Sequence, residues 1–152
     1  MIELLPLSIG IGLAVSLIFS ESFGIAAGGM VVPGYFALYM TRPAEALLTL
    51  AVGFATFGIV HALSAIVIVY GRRRTVLMIL VAYILGMGIR AVMPDVAGDG
   101  EDLVRVIGFI IPGLVAIWLD RQGVVETVSA LATASVVVRL VLILLVGSEL
   151  IR

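Results

Sequence analysis

The chain has 152 residues and a net charge of −1; 62% of its residues are hydrophobic and 12% are charged. Its mean hydropathy is +1.30. Soluble domains hold roughly 45–50% apolar and about 25% charged residues, so this composition excludes a water-soluble globular domain and indicates an integral membrane protein.

Missing residue types exclude several kinds of chemistry. There is no cysteine, and all nine basic residues are arginine, so thiolate catalysis, a P-loop and a Schiff-base lysine cannot be built. His61 is the single histidine, which rules out a multi-histidine metal site within one chain. We therefore expect no catalytic residue, metal site or cofactor in this chain, and no nucleic-acid partner.

Six apolar runs follow one another along the chain, at about 4–20, 23–40, 44–70, 75–93, 103–119 and 124–147. A helix needs roughly 20 apolar residues to cross the hydrocarbon core. Most charged residues lie between the runs, in short stretches such as "GRRR" at 71–74, "PDVAGDGED" at 94–102 and "DRQG" at 120–123. The pattern predicts an all-α integral membrane protein with short loops and a single membrane domain over residues 1–152.

The second and fifth runs share a motif. "GMVVPG" at 29–34 matches "GFIIPG" at 108–113, at a shift of 79 positions, and Arg42 then meets Arg121. At a shift of 78, His61 meets Arg139. We predict two similar halves, at about 4–70 and 75–147, each consisting of a helix, a segment broken at Pro-Gly, and a helix.

Proline and glycine inside an apolar run predict a break in the helix. Proline also suits the first turn of a new helix, so Pro33 and Pro112 are predicted to begin half-helices whose N-termini attract anions. Gly34 and Gly113 would then let the backbone approach a bound strand. Paired broken segments are the sequence signature of a transporter-like site at the bilayer midplane, whereas the alternative is a kink that only aids packing.

The membrane topology depends on whether the two segments broken at Pro-Gly cross the bilayer. If they do, six passes and inverted repeats result, which we prefer; if they are re-entrant, four helices cross and the repeats are parallel. The run Arg72, Arg73 and Arg74 marks the cytoplasmic side by the positive-inside rule.

Polar side chains within the apolar runs are the remaining candidates. Arg139 lies in "SVVVRLVLILLV" and is predicted to face protein or a cavity, either in a functional site or bonded to backbone carbonyls at a break in a neighbouring helix. His61 is interpreted mainly as a packing residue, and its match to Arg139 adds some interest. Glu21 closes the first run and could be an interfacial cap.

The stretch "SLIFSESFGIAAGGMVVPGYFAL" at 16–38 resembles the signature of the poly-γ-glutamate and capsule biosynthesis membrane proteins of the PgsC/CapC family. "YGRRR" at 70–74 and "IIPGLVAIWLDRQG" at 110–123 resemble its basic loop and its second motif. The departures are Ser22-Phe23, where a basic and a small polar residue are expected, and "AAGG" at 26–29. The resemblance covers nearly the whole chain.

The resemblance implies a multi-pass subunit in the cell membrane of a bacterium or archaeon. It implies that the chain works with a cytoplasmic ATP-dependent amide ligase of the Mur-ligase type and a further membrane-anchored capsule subunit. ATP and a divalent metal are then expected on the ligase. Other expected partners are the bilayer, an anionic polyglutamate chain and a second copy of this chain.

From these arguments we expect a substrate or polymer path lined by Glu21, Pro33, Gly34, Tyr35, His61, Pro112, Gly113 and Arg139. We expect the ligase to bind at Arg72, Arg73, Arg74 and Arg121. Two alternatives stay open at this point: an independent small-solute transporter with duplicated broken helices, and an anchor without a cavity.

Overall fold

The computed structural model describes residues 4–93 and 102–147, with side chains for 5–93 and 109–147. The helices are α1 (Leu4–Phe23), α2 (Val32–Tyr39), α3 (Pro43–Ile66), α4 (Arg72–Val92), α5 (Asp102–Gln122) and α6 (Val124–Val146). No strand occurs in the described residues, so the predicted all-α fold is confirmed. The acidic loop predicted at 94–102 lies outside the described residues, apart from Asp102, which begins α5.

Four of the described helices are long and apolar enough to cross a membrane: Leu5–Phe23 of α1, Pro43–Ile66 of α3, Arg72–Val92 of α4 and Val124–Val146 of α6. They expose many large apolar side chains, and exposing that much apolar surface to water would be unfavourable. Ile66 and Leu144, for example, are 83% and 84% exposed. Lipid is the solvent that suits these surfaces, and the chain is a multi-pass membrane protein.

The helical crossing that we preferred for the run 23–40 is wrong. Beyond Phe23, which ends α1, only Val32–Tyr39 is helical there, and eight residues of α-helix span about 12 Å, against roughly 30 Å of hydrocarbon. The preceding segment is irregular because Gly24, Gly28 and Gly29 take positive φ angles of 67°, 74° and 118°. Residues other than glycine rarely adopt positive φ angles, so the local glycine content decides where the helix stops.

The chain packs as two compact units. The first unit contains α1, α2 and α6, and the second contains α3, α4 and α5 up to Arg121. Each unit thus takes the first two elements of one predicted half and the last helix of the other half. The repeat itself stays a prediction.

Each unit has its own apolar core. In the first unit Ala27 packs with Ala130 and Ala134, and Ala37 packs with Val138 and Leu142. In the second unit one core cluster contains Val60, Met78, Ala116 and Ile117. Small side chains predominate in the first unit, as is usual where membrane helices approach closely.

Candidate functional site

A glycine-rich segment, residues 24–31, connects α1 to α2 in the first unit. Ala27, Gly28 and Gly29 are buried although the backbone is irregular. Buried irregular backbone needs hydrogen-bond partners from the protein, because lipid offers none. One partner is Ser16 of α1, whose Oγ donates to the carbonyl of Gly29 over 3.1 Å.

The second partner is Gln122. It is the last residue of α5, but it belongs to the first unit. Its Nε2 donates to the carbonyl of Ala26 over 2.5 Å, and its Oε1 accepts from the N–H of Ala26 over 3.1 Å. The amide therefore holds both backbone groups of one residue in the glycine-rich segment. Gln122 is not among the predicted site residues; the available signal was a lone amide between two apolar runs.

Pro33 lies in the first turn of α2, so the prediction that it begins a half-helix is confirmed. The helix then packs very closely on α1. A Cβ placed on Gly34 would lie 2.6 Å from the carbonyl oxygen of Ser8, and Ser8 Oγ donates to the carbonyl of Gly34 over 2.7 Å. The expectation that Gly34 opens the backbone to a strand needs correction, because the space beside it is filled by α1.

Pro112 does not begin a half-helix, and that prediction is wrong. It lies inside α5, which continues from Asp102 to Gln122. Proline removes one helical hydrogen bond and favours a kink, yet neighbouring helices can stabilise it in a membrane protein. Ile111 and Val115, on either side of Pro112, are almost completely buried and pack this part of α5 against its neighbours.

Gly113 of α5 also serves close packing. A Cβ on Gly113 would lie 2.9 Å from Cα of Ile79 and 3.3 Å from Cβ of Ala82. In the first unit, the equivalent glycine meets the i and i+3 positions of α1: a Cβ on Gly34 would lie 3.0 Å from Cα of Ile9, and a Cβ on Gly12 2.7 Å from Gly34. The two Pro-Gly motifs therefore make the same kind of contact with the first helix of their own half.

Arg139 faces protein, as predicted. Its Nη1 donates to the carbonyl of Ala37 over 3.0 Å, in a partly buried position. Ala37 lies in the last turn of α2, where carbonyl groups lack helical partners and partial negative charge collects. The arginine thus stabilises the C-terminal end of the short helix, and the acceptor is a backbone carbonyl.

The other predicted path residues are placed differently. Tyr35 is 5% exposed and stacks on Tyr39, with ring centroids 4.4 Å apart. Glu21 is exposed in the last turns of α1. His61 is exposed on α3, in the second unit, with its ring 5.8 Å from that of Phe57.

The first unit thus gathers Pro33, Gly34, Tyr35 and Arg139 around α2, whereas Glu21 lies apart on the surface. Pro112, Gly113 and His61 belong to the second unit. Their membership of one continuous path stays a prediction. Within residues 5–93 and 109–147, no three His, Asp or Glu side chains are placed to hold a metal ion.

The predicted partner-binding arginines meet at one end of the second unit, which we call the basic end: Arg72, Arg73, Arg74 and Arg121. An ion pair fixes the two helix termini that carry them, because Arg74 Nη2 lies 2.5 Å from Asp120 Oδ1. Arg72 and Arg73 are exposed in the first turn of α4, and Arg121 is exposed in the last turn of α5. Arg121 also lies over the Trp118 ring, 5.7 Å from its centroid.

Helix stability does not account for the arginines on α4. Cations at a helix N-terminus oppose the helix dipole, so Arg72 and Arg73 slightly destabilise α4. Their side chains project outward and are free to contact an anionic surface. This end can attract phosphate or carboxylate groups at the membrane boundary.

Comparison with known proteins shows the family of the chain. The family model described as "Capsule biosynthesis CapC" matches residues 11–128. The chain belongs to the CapC family. The match covers the glycine-rich segment, α2, the basic end and Gln122, and it ends before Arg139.

Two curated CapC relatives cover most of the chain. The "PGA biosynthesis protein CapC" of Bacillus subtilis (strain 168) is 38% identical over 118 residues, which is 77% of this chain and 78% of the relative. The "Capsule biosynthesis protein CapC" of Bacillus anthracis is 34% identical over 125 residues, or 82% of this chain and 83% of the relative. No solved structure matches the chain.

Proposed function

We propose that this chain is the membrane subunit of a synthase that makes a capsule polymer of γ-linked glutamate. The names of its two relatives, a PGA and a capsule biosynthesis protein, support this role. The chain itself has no lysine and so no P-loop. ATP and a divalent metal therefore bind to a cytoplasmic amide ligase of the Mur-ligase type, and a further membrane-anchored subunit completes the complex in the cell membrane.

The observation that carries the proposal is the basic end. Arg72, Arg73 and Arg121 are exposed together, and the Arg74–Asp120 pair holds their helices in place. In this proposal an acidic surface of the ligase docks there. Arginine side chains suit bidentate contacts with carboxylates, and complementary charge speeds association and sets orientation.

The short helix α2 supplies the second part of the proposal. The polymer, or its growing end, is held in the first unit near α2, where the helix N-terminus and Arg139 supply positive potential. A polyanion is repelled by hydrocarbon, so it needs such fixed positive groups wherever it enters the membrane.

A complementation experiment tests the function. The chain is expressed in a polymer-producing bacterium that lacks its own CapC, and γ-linked polyglutamate is measured outside the cells. We expect polymer to be restored together with co-purification of the ligase. A correctly inserted chain that restores no polymer with a ligase it binds would show that the proposal is wrong.

A small-solute transporter is the second candidate, favoured by the buried irregular segment 24–31 before a short helix. Unwound segments of this kind line substrate sites in many transporters. Uptake of radiolabelled glutamate into vesicles that contain only this chain would favour this candidate. Polymer output that requires the ligase, without such uptake, favours the synthase subunit.

A further inference from the structure

Ser135 of α6 is a buried hydroxyl with no protein partner. It is 2% exposed, and no hydrogen bond to its Oγ is found among the described residues. Other hydroxyls of α6 bond to a carbonyl one turn earlier: Thr127, Ser129 and Thr133 do so over 2.7, 2.7 and 2.8 Å. Burying an unpaired hydroxyl costs stability, so the oxygen of Ser135 calls for an occupant from outside the chain.

Contacts on either side of Ser135 show what it faces. Leu131, four residues earlier, contacts Gly28: a Cβ on that glycine would lie 3.6 Å from Leu131 Cδ1. Arg139, four residues later, bonds to the carbonyl of Ala37. Residues four apart share one face of a helix. Ser135 therefore faces the stretch midway between Gly28 and Ala37, which is the first turn of α2.

That turn of α2 has an uncapped N-terminus. Its N-cap, Val31, makes no side-chain cap hydrogen bond, and the first backbone bond runs from the N–H of Tyr35 to the carbonyl of Val31, over 3.2 Å. Pro33 has no N–H, so the N–H groups of Val32 and Gly34 are the two in this turn that lack a partner within the helix, and partial positive charge collects there. Val32 at this turn is completely buried, so water does not screen the charge.

We propose that the Ser135 hydroxyl and the N-terminal turn of α2 bind a carboxylate. A carboxylate accepts several hydrogen bonds and is stabilised at a helix N-terminus. Met30, 62% exposed two residues before α2, leaves the turn close to the surface of the chain. The identity of the carboxylate rests on the proposed function: it is the pendant carboxylate of a γ-linked glutamate chain.

Two serines of α6 make a matched test. The full chain is placed in nanodiscs of neutral lipid, and binding of a fluorescent γ-linked glutamate pentamer is measured by anisotropy, with acetate as a competitor. Ser135→Ala should raise the Kd of the pentamer about ten-fold, because a hydrogen bond to a charged group is lost. Ser129→Ala, an exposed position, should leave the Kd unchanged.

Thermal unfolding separates a ligand site from a structural role. Ser135→Ala should melt at the same temperature as the wild type or higher, because the variant removes an unpaired buried hydroxyl. An unchanged Kd in Ser135→Ala would mean that the hydroxyl holds only a water molecule, and the proposal would be wrong. A lower melting temperature accompanying the weaker binding would overturn it as well.

The site and the proposed function can fail separately. If the chain restores polymer in the complementation experiment but Ser135→Ala binds the pentamer normally, only the site is wrong. If polymer is not restored while acetate still competes in a Ser135-dependent way, the carboxylate site stands and the proposed function is wrong.

Discussion

Arg139 of α6 donates a hydrogen bond to the carbonyl of Ala37 in α2, over 3.0 Å. This contact joins the last long helix to the shortest one. An eight-residue helix is marginal by itself, so its stability must come from packing and from end contacts such as this one. We therefore expect Arg139 to influence function through the position of α2.

Arg139→Leu should insert into the membrane, because the helix becomes more apolar, but it should loosen α2. A hydrogen bond from a charged donor contributes about 1.5–3 kcal/mol, and its loss leaves the Ala37 carbonyl without this donor. We expect faster hydrogen exchange of the α2 amides and lower polymer output. Val137→Leu, at an exposed apolar position of the same helix, is the control. Normal polymer yield from well-expressed Arg139→Leu would show that the arginine has no part in polymer output.

Gly34 and Gly113 should tolerate no larger residue. Alanine would place a Cβ 2.6 Å from the Ser8 carbonyl oxygen at the first site and 2.9 Å from Ile79 Cα at the second. Overpacking of this kind costs about 1–3 kcal/mol, so both variants should lower the unfolding temperature in detergent. Gly10→Ala and Gly58→Ala are matched controls, because nothing lies within 4 Å of a Cβ there. Equal melting of all four variants would contradict the close helix contacts.

Gln122→Ala should release the glycine-rich segment. The variant removes two hydrogen bonds to Ala26, worth about 1 kcal/mol each, and leaves both backbone groups in a partly buried place. We expect faster hydrogen exchange over residues 24–31 while exchange in α3 and α4 stays as in the wild type. Gln122→Glu keeps the acceptor and loses the donor to the Ala26 carbonyl, so its effect should be of similar direction. Unchanged hydrogen exchange in both variants would show that the two bonds between Gln122 and Ala26 do not hold the glycine-rich segment in place.

Reversing charge at the basic end should disrupt ligase binding. Arg72→Glu with Arg73→Glu removes two exposed guanidinium groups and should reduce co-purification of the ligase, and binding by the wild type should weaken as salt rises. Arg42→Glu, compared with Arg72→Glu alone, is the control, because each variant replaces one exposed arginine by glutamate; Arg42 is 63% exposed and lies at the start of α3. If both changes reduce co-purification equally, the effect is one of total charge and the docking site is wrong.

The composition and the order of the motifs were enough to predict an integral membrane protein with the CapC pattern. With 62% hydrophobic residues and 12% charged residues, only a membrane environment can solvate the chain, and the helices follow from runs too apolar for water. The CapC motifs around Pro33 and Arg121 were recognised by residue order and spacing alone. The contact of Arg139 with protein was also predictable, because an unpaired cation is unstable in lipid.

Only the tertiary structure decided what each Pro-Gly does. The two motifs read alike, yet Pro33 begins a helix and Pro112 lies inside one. The Pro-Gly pair itself does not separate the outcomes. Gly24, Gly28 and Gly29 take positive φ and interrupt the helix before α2, whereas the buried contacts of Ile111 and Val115 support α5 around Pro112.

Tertiary contacts also decided which helices form each unit, since α3 joins α4 and α5 while α6 joins α1 and α2. Hydrophobic patterning reports that a helix needs an apolar partner, but it does not say which one. Gln122 and Ser135 could not be predicted as site residues for the same reason. Their importance lies in hydrogen bonds made or missing across the first unit, and such bonds depend on chain segments that are far apart in the sequence.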